Sequence, residues 1–328
     1  MATLLLTRQD VAALLTLDEC IICVEEAFKL YAEGKALPPK VLGIHTQKGG
    51  FHIKAGILNL DKTYFVAKIN SNFQYNMRDQ GLPLIQGVIV VCDGENGRPL
   101  ALMDSIEITI LRTGAATAVA AKYLAQAGAQ TVTICGCGNQ GRITLKALMK
   151  VCAVEKVYVF DVDKSKAEKF AGELADELNV IIKTVNDVGV AVRNSKICVT
   201  CTPSRQPFLK LQDVMAGTFI AAIGADSEEK QELEPGLLSA GKLVTDITEQ
   251  CGNIGELHHA LEGGLMTIAD VHAEIGEIVS GKKPGRTSTE EIIIFDSTGT
   301  GLQDAAAAAI VYEKAVRKNM GAKMDFAL

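Results

Sequence analysis

The feature that most constrains this chain is a change of rhythm near residue 128. From there on, short β-branched runs alternate with helical stretches: TVTICG, a helix to Val151, KVYVFD, a helix through Leu178, VIIKTV, a short helix, KICVTC, then TFIAAIG and KLVTDI. Short apolar strands separated by helices of about 10 to 15 residues bury both faces in a parallel sheet of βαβ units. An α/β domain with a Rossmann-type parallel sheet is therefore expected.

The first of these strands runs into ICGCGNQG, where Gly136, Gly138 and Gly141 have the spacing G-x-G-x-x-G. On its own the stretch reads in three ways: a phosphate-binding turn, a pair of reactive or metal-binding thiols, or a tight loop. Its place after TVTI and before NQGRITLKALMKV favours the first, because backbone N–H groups at a helix start can hold a pyrophosphate. Asp161 ends the second strand, where a carboxylate can accept hydrogen bonds from an adenosine ribose. A 2'-phosphate there would meet like charge, so NAD(H) is favoured, with NADP(H) as the second choice. The competing reading makes Asp161 a cap of the next helix, a place Asp163 can fill instead. Cys135 and Cys137 then flank a glycine that approaches phosphate, which leaves no room for a metal.

The stretch before residue 128 is organised differently. Apolar residues recur every three or four positions from Thr7 to Gly34, with Thr7 and Thr16 as caps of two helices. FHIKAGIL, YFVAKIN and LIQGVIVVCD then read as mostly antiparallel strands, and an Ala-rich helix from near Thr109 to Gly128 links to the second region. GLQDAAAAAIVYEKAVRK is a further helix, expected to fold back towards the first region.

Composition enters through exclusions. At 328 residues the chain is longer than one core usually serves, so two domains are expected. A net charge of -6 with no Lys/Arg run longer than two leaves no basic footprint for nucleic acid. Asp10 and Arg8 interrupt the first apolar run, and no stretch approaches the length of a membrane span, so a cytoplasmic protein is expected. The nine cysteines lie mostly in apolar runs and read as buried small residues. Cys20/Cys23 and Cys198/Cys201 have C-x-x-C spacing but no histidine cluster nearby, so no metal is expected.

Three stretches carry the candidate chemistry. IGADSEEKQELEP follows a strand at its C-terminal end, where open α/β sheets place ligands. Asp226 and Lys230 would face the nicotinamide there, with Asp226 exchanging a proton at a substrate nitrogen. The alternative for this stretch is a helix N-cap followed by a solvated charge run, preferred for Glu228 and Glu229. In ILRTGAATAVAAKYLA, Arg112 is a lone charge among small residues, either an ion-pair partner or a carboxylate clamp. In FVAKIN and FHIKAG, Lys68 and Lys54 alternate into strands, either facing a cleft or guarding an edge against aggregation.

Together, GLPLIQGVIVV, MDSIEITILRTGAATAVAAKYLA, ICGCGNQG, GADSEEKQEL and FDSTGTGLQDAAAA resemble the ornithine cyclodeaminase/mu-crystallin family over nearly the whole chain. The resemblance implies a homodimer with a substrate and dimerisation domain at 1–115, completed by a C-terminal helix at 302–328, and a cofactor domain at 116–301. It makes Asp226 the acid/base and Lys68 a second catalytic group, with Arg112 and Lys230 on the substrate side. Thr113, Asn139, Gln140, Asp161, Thr202 and Ser297 join the three glycines at the cofactor. Two departures stand out: Lys40 stands where many members carry an arginine for the substrate carboxylate and would contribute its charge there, and HIKAGI replaces a Met-Pro-Ala sequence, which brings Lys54 to the substrate. The extra positive charge argues against ornithine and for reduction of a cyclic imino acid such as Δ1-pyrroline-2-carboxylate. Ornithine cyclodeamination, alanine dehydrogenation and cofactor-dependent ligand binding are the alternatives.

Overall fold

Two threonines organise the start of the chain. In the computed structural model, which describes residues 2–326, Thr7 and Thr16 accept the N–H groups of Asp10 and Glu19, whose carboxylates return the bond to the cap N–H. These reciprocal capping boxes satisfy orphan donors at the starts of the helices Arg8–Leu14 and Leu17–Ala32. The chain divides into two units: residues through Arg112 together with those from Thr300 onward, and Thr113–Gly299.

The first unit is built on a seven-stranded sheet in the order Ala322–Met324, Thr3–Leu6, Pro99–Asp104, Ile85–Asp93, Thr63–Asn72, Gly49–Asn59, Lys40–Thr46. Neighbours are antiparallel except Thr3–Leu6 beside Pro99–Asp104. One face is buried by strict alternation, with Leu58 opposite Tyr64, Gly56 opposite Val66 and Lys54 opposite Lys68. The helix Gly301–Lys318 lies on that face, and a Cβ at Gly301 would come within 2.4 Å of the Ala55 carbonyl carbon. Glycine is needed there because helix and strand meet backbone to backbone.

The C-terminal helix was expected over 302–328 and ends at Lys318 instead. Asn319 adopts the left-handed conformation (φ 51°), which asparagine tolerates, and Ala322–Met324 then pairs with Thr3–Leu5. Residues 327 and 328 of that expectation lie outside the described residues. The linking helix also differs, running Ile106–Leu124. Asp104 caps its start through the Ile106 N–H at 2.9 Å, and Gly128 (φ 75°) belongs to a turn beyond its end.

The second unit holds an eight-stranded sheet in the order Ala273–Glu274, Lys242–Thr245, Ile293–Asp296, Phe219–Ala222, Ile197–Thr200, Thr131–Cys135, Lys156–Phe160, Ile181–Thr184. Every pairing is parallel. Strand order reverses between Thr131–Cys135 and Ile197–Thr200, the kind of switch point at whose carboxyl ends open α/β sheets place their ligands. No helix among the described residues is long and apolar enough to cross a membrane.

Candidate functional site

In the second unit the glycines of ICGCGNQG have separate reasons. Gly136 has φ 107°, and a Cβ on Gly141 would lie 2.1 Å from the Gly136 carbonyl oxygen, so both are demanded by the turn itself. At Gly138 a Cβ would meet no protein atom within 4 Å. Packing does not require glycine there, whereas the approach of a phosphate would. Gly138 is the N-cap of the helix Asn139–Val151, without a side-chain cap bond and without an acid in the first turn. Those uncapped N–H groups and the positive end of the helix dipole suit an anion. Gln140 Oε1 is buried without a hydrogen-bond partner. These features fit a dinucleotide pyrophosphate.

Asp161 accepts the N–H of Cys137 on one carboxylate oxygen and that of Asp163 on the other, each at 2.9 Å. Each oxygen keeps a lone pair for a ribose hydroxyl. The helix cap is Asp163, which accepts the Ser165 N–H at 3.0 Å. Cys137 lies against Asp161, and burial pushes its thiol up to about 12, the opposite of a reactive cysteine. Thr113 opens the second unit, and its neighbour Gly114 packs so closely that a Cβ would lie 3.1 Å from Ile143 in the helix after the glycine turn. Ser297 is buried and donates to Asp246 at 3.0 Å.

The segment after Phe219–Ala222 does not form the helix that a cap-and-charge-run reading requires. It turns, and Gln231–Leu233 pairs as a strand with Arg205–Leu209. Within the turn Lys230 Nζ lies 2.5 Å from Asp226 Oδ1, and the Asp226 side chain is 42% exposed, open enough to exchange a proton. Burial opposes the charge on Lys230, but the field and hydrogen bond of Asp226 hold its pKa above the ordinary lysine value. His259 Nε2 meets the Lys230 carbonyl at 2.8 Å. Beside it, His258, His259 and Glu262 each bring one ligand-type atom to within 4.8 Å of the others, a grouping readily explained by the i,i+4 contact of His258 with Glu262.

In the first unit the alternation that buries Tyr64 and Val66 also buries Lys68, and the register sets Lys54 directly opposite. Lys68 Nζ lies 2.8 Å from Asp304, and Arg112 Nε lies 3.3 Å from the same carboxylate while its Nη1 donates to Gln303 at 3.0 Å. Burial, reinforced by the Arg112 charge, brings the Lys68 pKa down to about 7. Asp304 shows the converse: burial would raise it, but Lys68 and Arg112 hold it below the usual carboxylate range. Lys54, Lys68 and Arg112 thus converge with Asp304 in a buried basic cluster suited to a small carboxylate.

Lys40 does not join them. It pairs with Ala55, so alternation places it on the other face of the sheet, and it is exposed. Sequence reasoning missed Asp304 and Gln303, whose signal was a polar pair entering an all-alanine run, and Glu232, hidden in a charge run.

The whole chain has known counterparts. Residues 1–319 match the model of the ornithine cyclodeaminase/mu-crystallin family. Alanine dehydrogenase of Archaeoglobus fulgidus is 42% identical over 328 residues, 99% of each chain. The solved archaeal alanine dehydrogenase dimer with bound NAD is 40% identical, covering 99% of this chain and 100% of that one, with a TM-score of 0.94. The Thermococcus litoralis Δ1-pyrroline-2-carboxylate reductase, solved with NADH and L-proline, is 34% identical over 98% and 100% of the two chains, with a TM-score of 0.92.

Proposed function

The chain belongs to the ornithine cyclodeaminase/mu-crystallin family and is an NAD(P)-dependent oxidoreductase of amino or imino acids, and from that premise we propose that it is an NAD(H)-linked alanine dehydrogenase. The reaction is L-alanine, NAD+ and water to pyruvate, ammonium, NADH and a proton, in either direction. The observation that carries this reading is the 42% identity to an alanine dehydrogenase along the full length of both chains. It favours an alternative that the sequence alone set behind cyclic imino acid reduction. A homodimer is part of the same proposal, after the archaeal dimer.

When bound, the dinucleotide would supply the hydride-transfer chemistry. Gly136, Gly138, Asn139, Gln140 and Gly141 would cradle its pyrophosphate and Asp161 its ribose, with Thr113, Thr202 and Ser297 on the same unit. In the first unit Arg112, Lys54 and Lys68 would receive the substrate carboxylate. A Lys68 pKa near 7 lets its Nζ change protonation as that carboxylate arrives or leaves. Asp226, steadied by Lys230, is the acid–base group of the second unit.

A substrate panel tests the reading. NADH oxidation should require pyruvate and ammonia together, and L-alanine should reduce NAD+ with one ammonium released per NADH. Faster NADH oxidation with Δ1-pyrroline-2-carboxylate alone, or ammonia from ornithine without net NADH change, would overturn it.

A further inference from the structure

Thr202 and Asp226 stand on different loops, the first after the strand Ile197–Thr200 and the second after Phe219–Ala222. A buried carboxylate joins the two loops. Glu232 Oε1 accepts the N–H and the hydroxyl of Thr202, each at 2.6 Å, and Oε2 accepts the Gly224 N–H at 3.0 Å. The strand carrying Glu232 is itself pinned: Gln231 N donates to the Ser204 carbonyl at 2.9 Å, and Glu256 accepts the N–H groups of Glu232 at 2.7 Å and Leu233 at 3.1 Å. A Cβ at Gly224 would lie 2.4 Å from Glu232 Oε2 and 2.5 Å from the Thr202 carbonyl, so the loops close on the carboxylate with no spare room.

We propose that Glu232 is a positioning residue, whose carboxylate clamps these two loops so that Thr202 and the Asp226–Lys230 turn are held in one fixed relation to the cofactor. The proposal rests on the reading of this unit as the NAD(H) domain and not on which amino acid is the substrate. A carboxylate is required because Thr202 N and Gly224 N are obligate donors that face opposite oxygens. Glutamine offers one acceptor and one donor group, so either amide orientation sets N–H against N–H. The unmatched buried donor then loses its partner without regaining water. Glu232 is 0% exposed, and burial holds its pKa above the usual carboxylate range even though the three donors offset part of that cost.

Glu232→Gln and Gly224→Ala test the clamp. Hydrogen exchange needs no substrate: segments 201–205 and 223–229 should exchange at least roughly tenfold faster in Glu232→Gln, as expected when about 1.4 kcal/mol of local protection is lost. In steady state, kcat should fall roughly 10- to 100-fold, since small misplacements of reacting groups carry costs of that order. The fall should exceed any change in NADH affinity, and 4-deuterated NADH should give a larger isotope effect than in the wild type. Because both substitutions break the same clamp, the double variant should be little worse than either single one. Unchanged exchange in both segments would overturn the proposal, as would a kcat within about twofold of wild type or losses that track global unfolding alone. If pyruvate and ammonia are not substrates while the exchange result holds, the substrate reading fails and the clamp stands.

Discussion

Burial drives a lysine of the first unit and an aspartate of the second towards the same neutral pKa from opposite sides. Lys68 comes down to about 7 and Asp296 goes up to about 7, desolvation being the leading cause in both. Their surroundings differ. Lys68 sits in a cluster of side chains, with Arg112 and Asp304 as charged neighbours and Lys54 opposite. Asp296 ends a parallel strand and accepts the Leu257 N–H at 2.9 Å, while the adjacent buried Asp246 accepts from Ser297, Thr298 and the Gly299 N–H. The first unit balances charge against charge and so can respond to an arriving ion. The second uses buried acids chiefly as acceptors that shape loops, a task for which a proton on Asp296 is acceptable.

The hardest test of this contrast is Asp304→Asn, which leaves Lys68 and Arg112 buried without their acid. It should lower unfolding free energy by about 3–5 kcal/mol, read from urea denaturation at pH 7. A loss under about 1 kcal/mol would mean that the cluster does not depend on side-chain charge balance. Asp226→Asn addresses the partly exposed acid of the second unit, paired with a lysine side chain. Turnover should fall by about two orders of magnitude with NADH affinity nearly unchanged, and equal turnover would remove Asp226 from the chemistry. Asp161→Ser should weaken NADH binding roughly tenfold or more, the scale of a lost charge-assisted hydrogen bond, while NADPH gains relative to NADH. Fluorescence titration of both cofactors would show it.

In pH dependence the sign of the effect separates the units. For Lys68 the folded pKa of about 7 lies below the ordinary 10.5, so between these values the unfolded chain binds more protons and stability rises with pH. For Asp296 the folded value of about 7 lies above 3.8, so the folded chain binds more protons in that window and stability falls as pH rises. Lys68→Met should therefore lose stability relative to the wild type from pH 7 to 10. Asp296→Asn should gain on the wild type from pH 4 to 7. Urea midpoints at each pH would check both, and parallel curves for variant and wild type would contradict the assignment.

Much of the architecture was legible because it depends on short-range pattern. The βαβ rhythm and the two threonine caps are local signals, and the antiparallel strands before residue 100 show in their alternation. The edges that misled are also local in cause: Asp104 starts its helix earlier than the alanine run suggests, and Asn319 stops one that composition would continue. The candidate site residues that sequence reasoning missed depend on distance along the chain. Asp304 meets Lys68 across 236 positions, and the polar pair entering the alanine run of GLQDAAAAA reads equally as an ordinary acid in a first helical turn. Glu232 sits in SEEKQE, where a charge run reads as solvated until the pairing of Gln231–Leu233 with Arg205–Leu209 turns one of its members inward.

The discontinuity of the first unit bears on how the protein is made. Arg112 lies 191 residues ahead of Gln303, and Asp304 follows one residue later. On the ribosome, Lys54, Lys68 and Arg112 therefore emerge long before the acid that balances them, whereas Thr113–Gly299 is synthesised without interruption. The nascent chain can complete its middle first, and the strands before it must wait, still carrying uncompensated cations, for the last helix to close the unit.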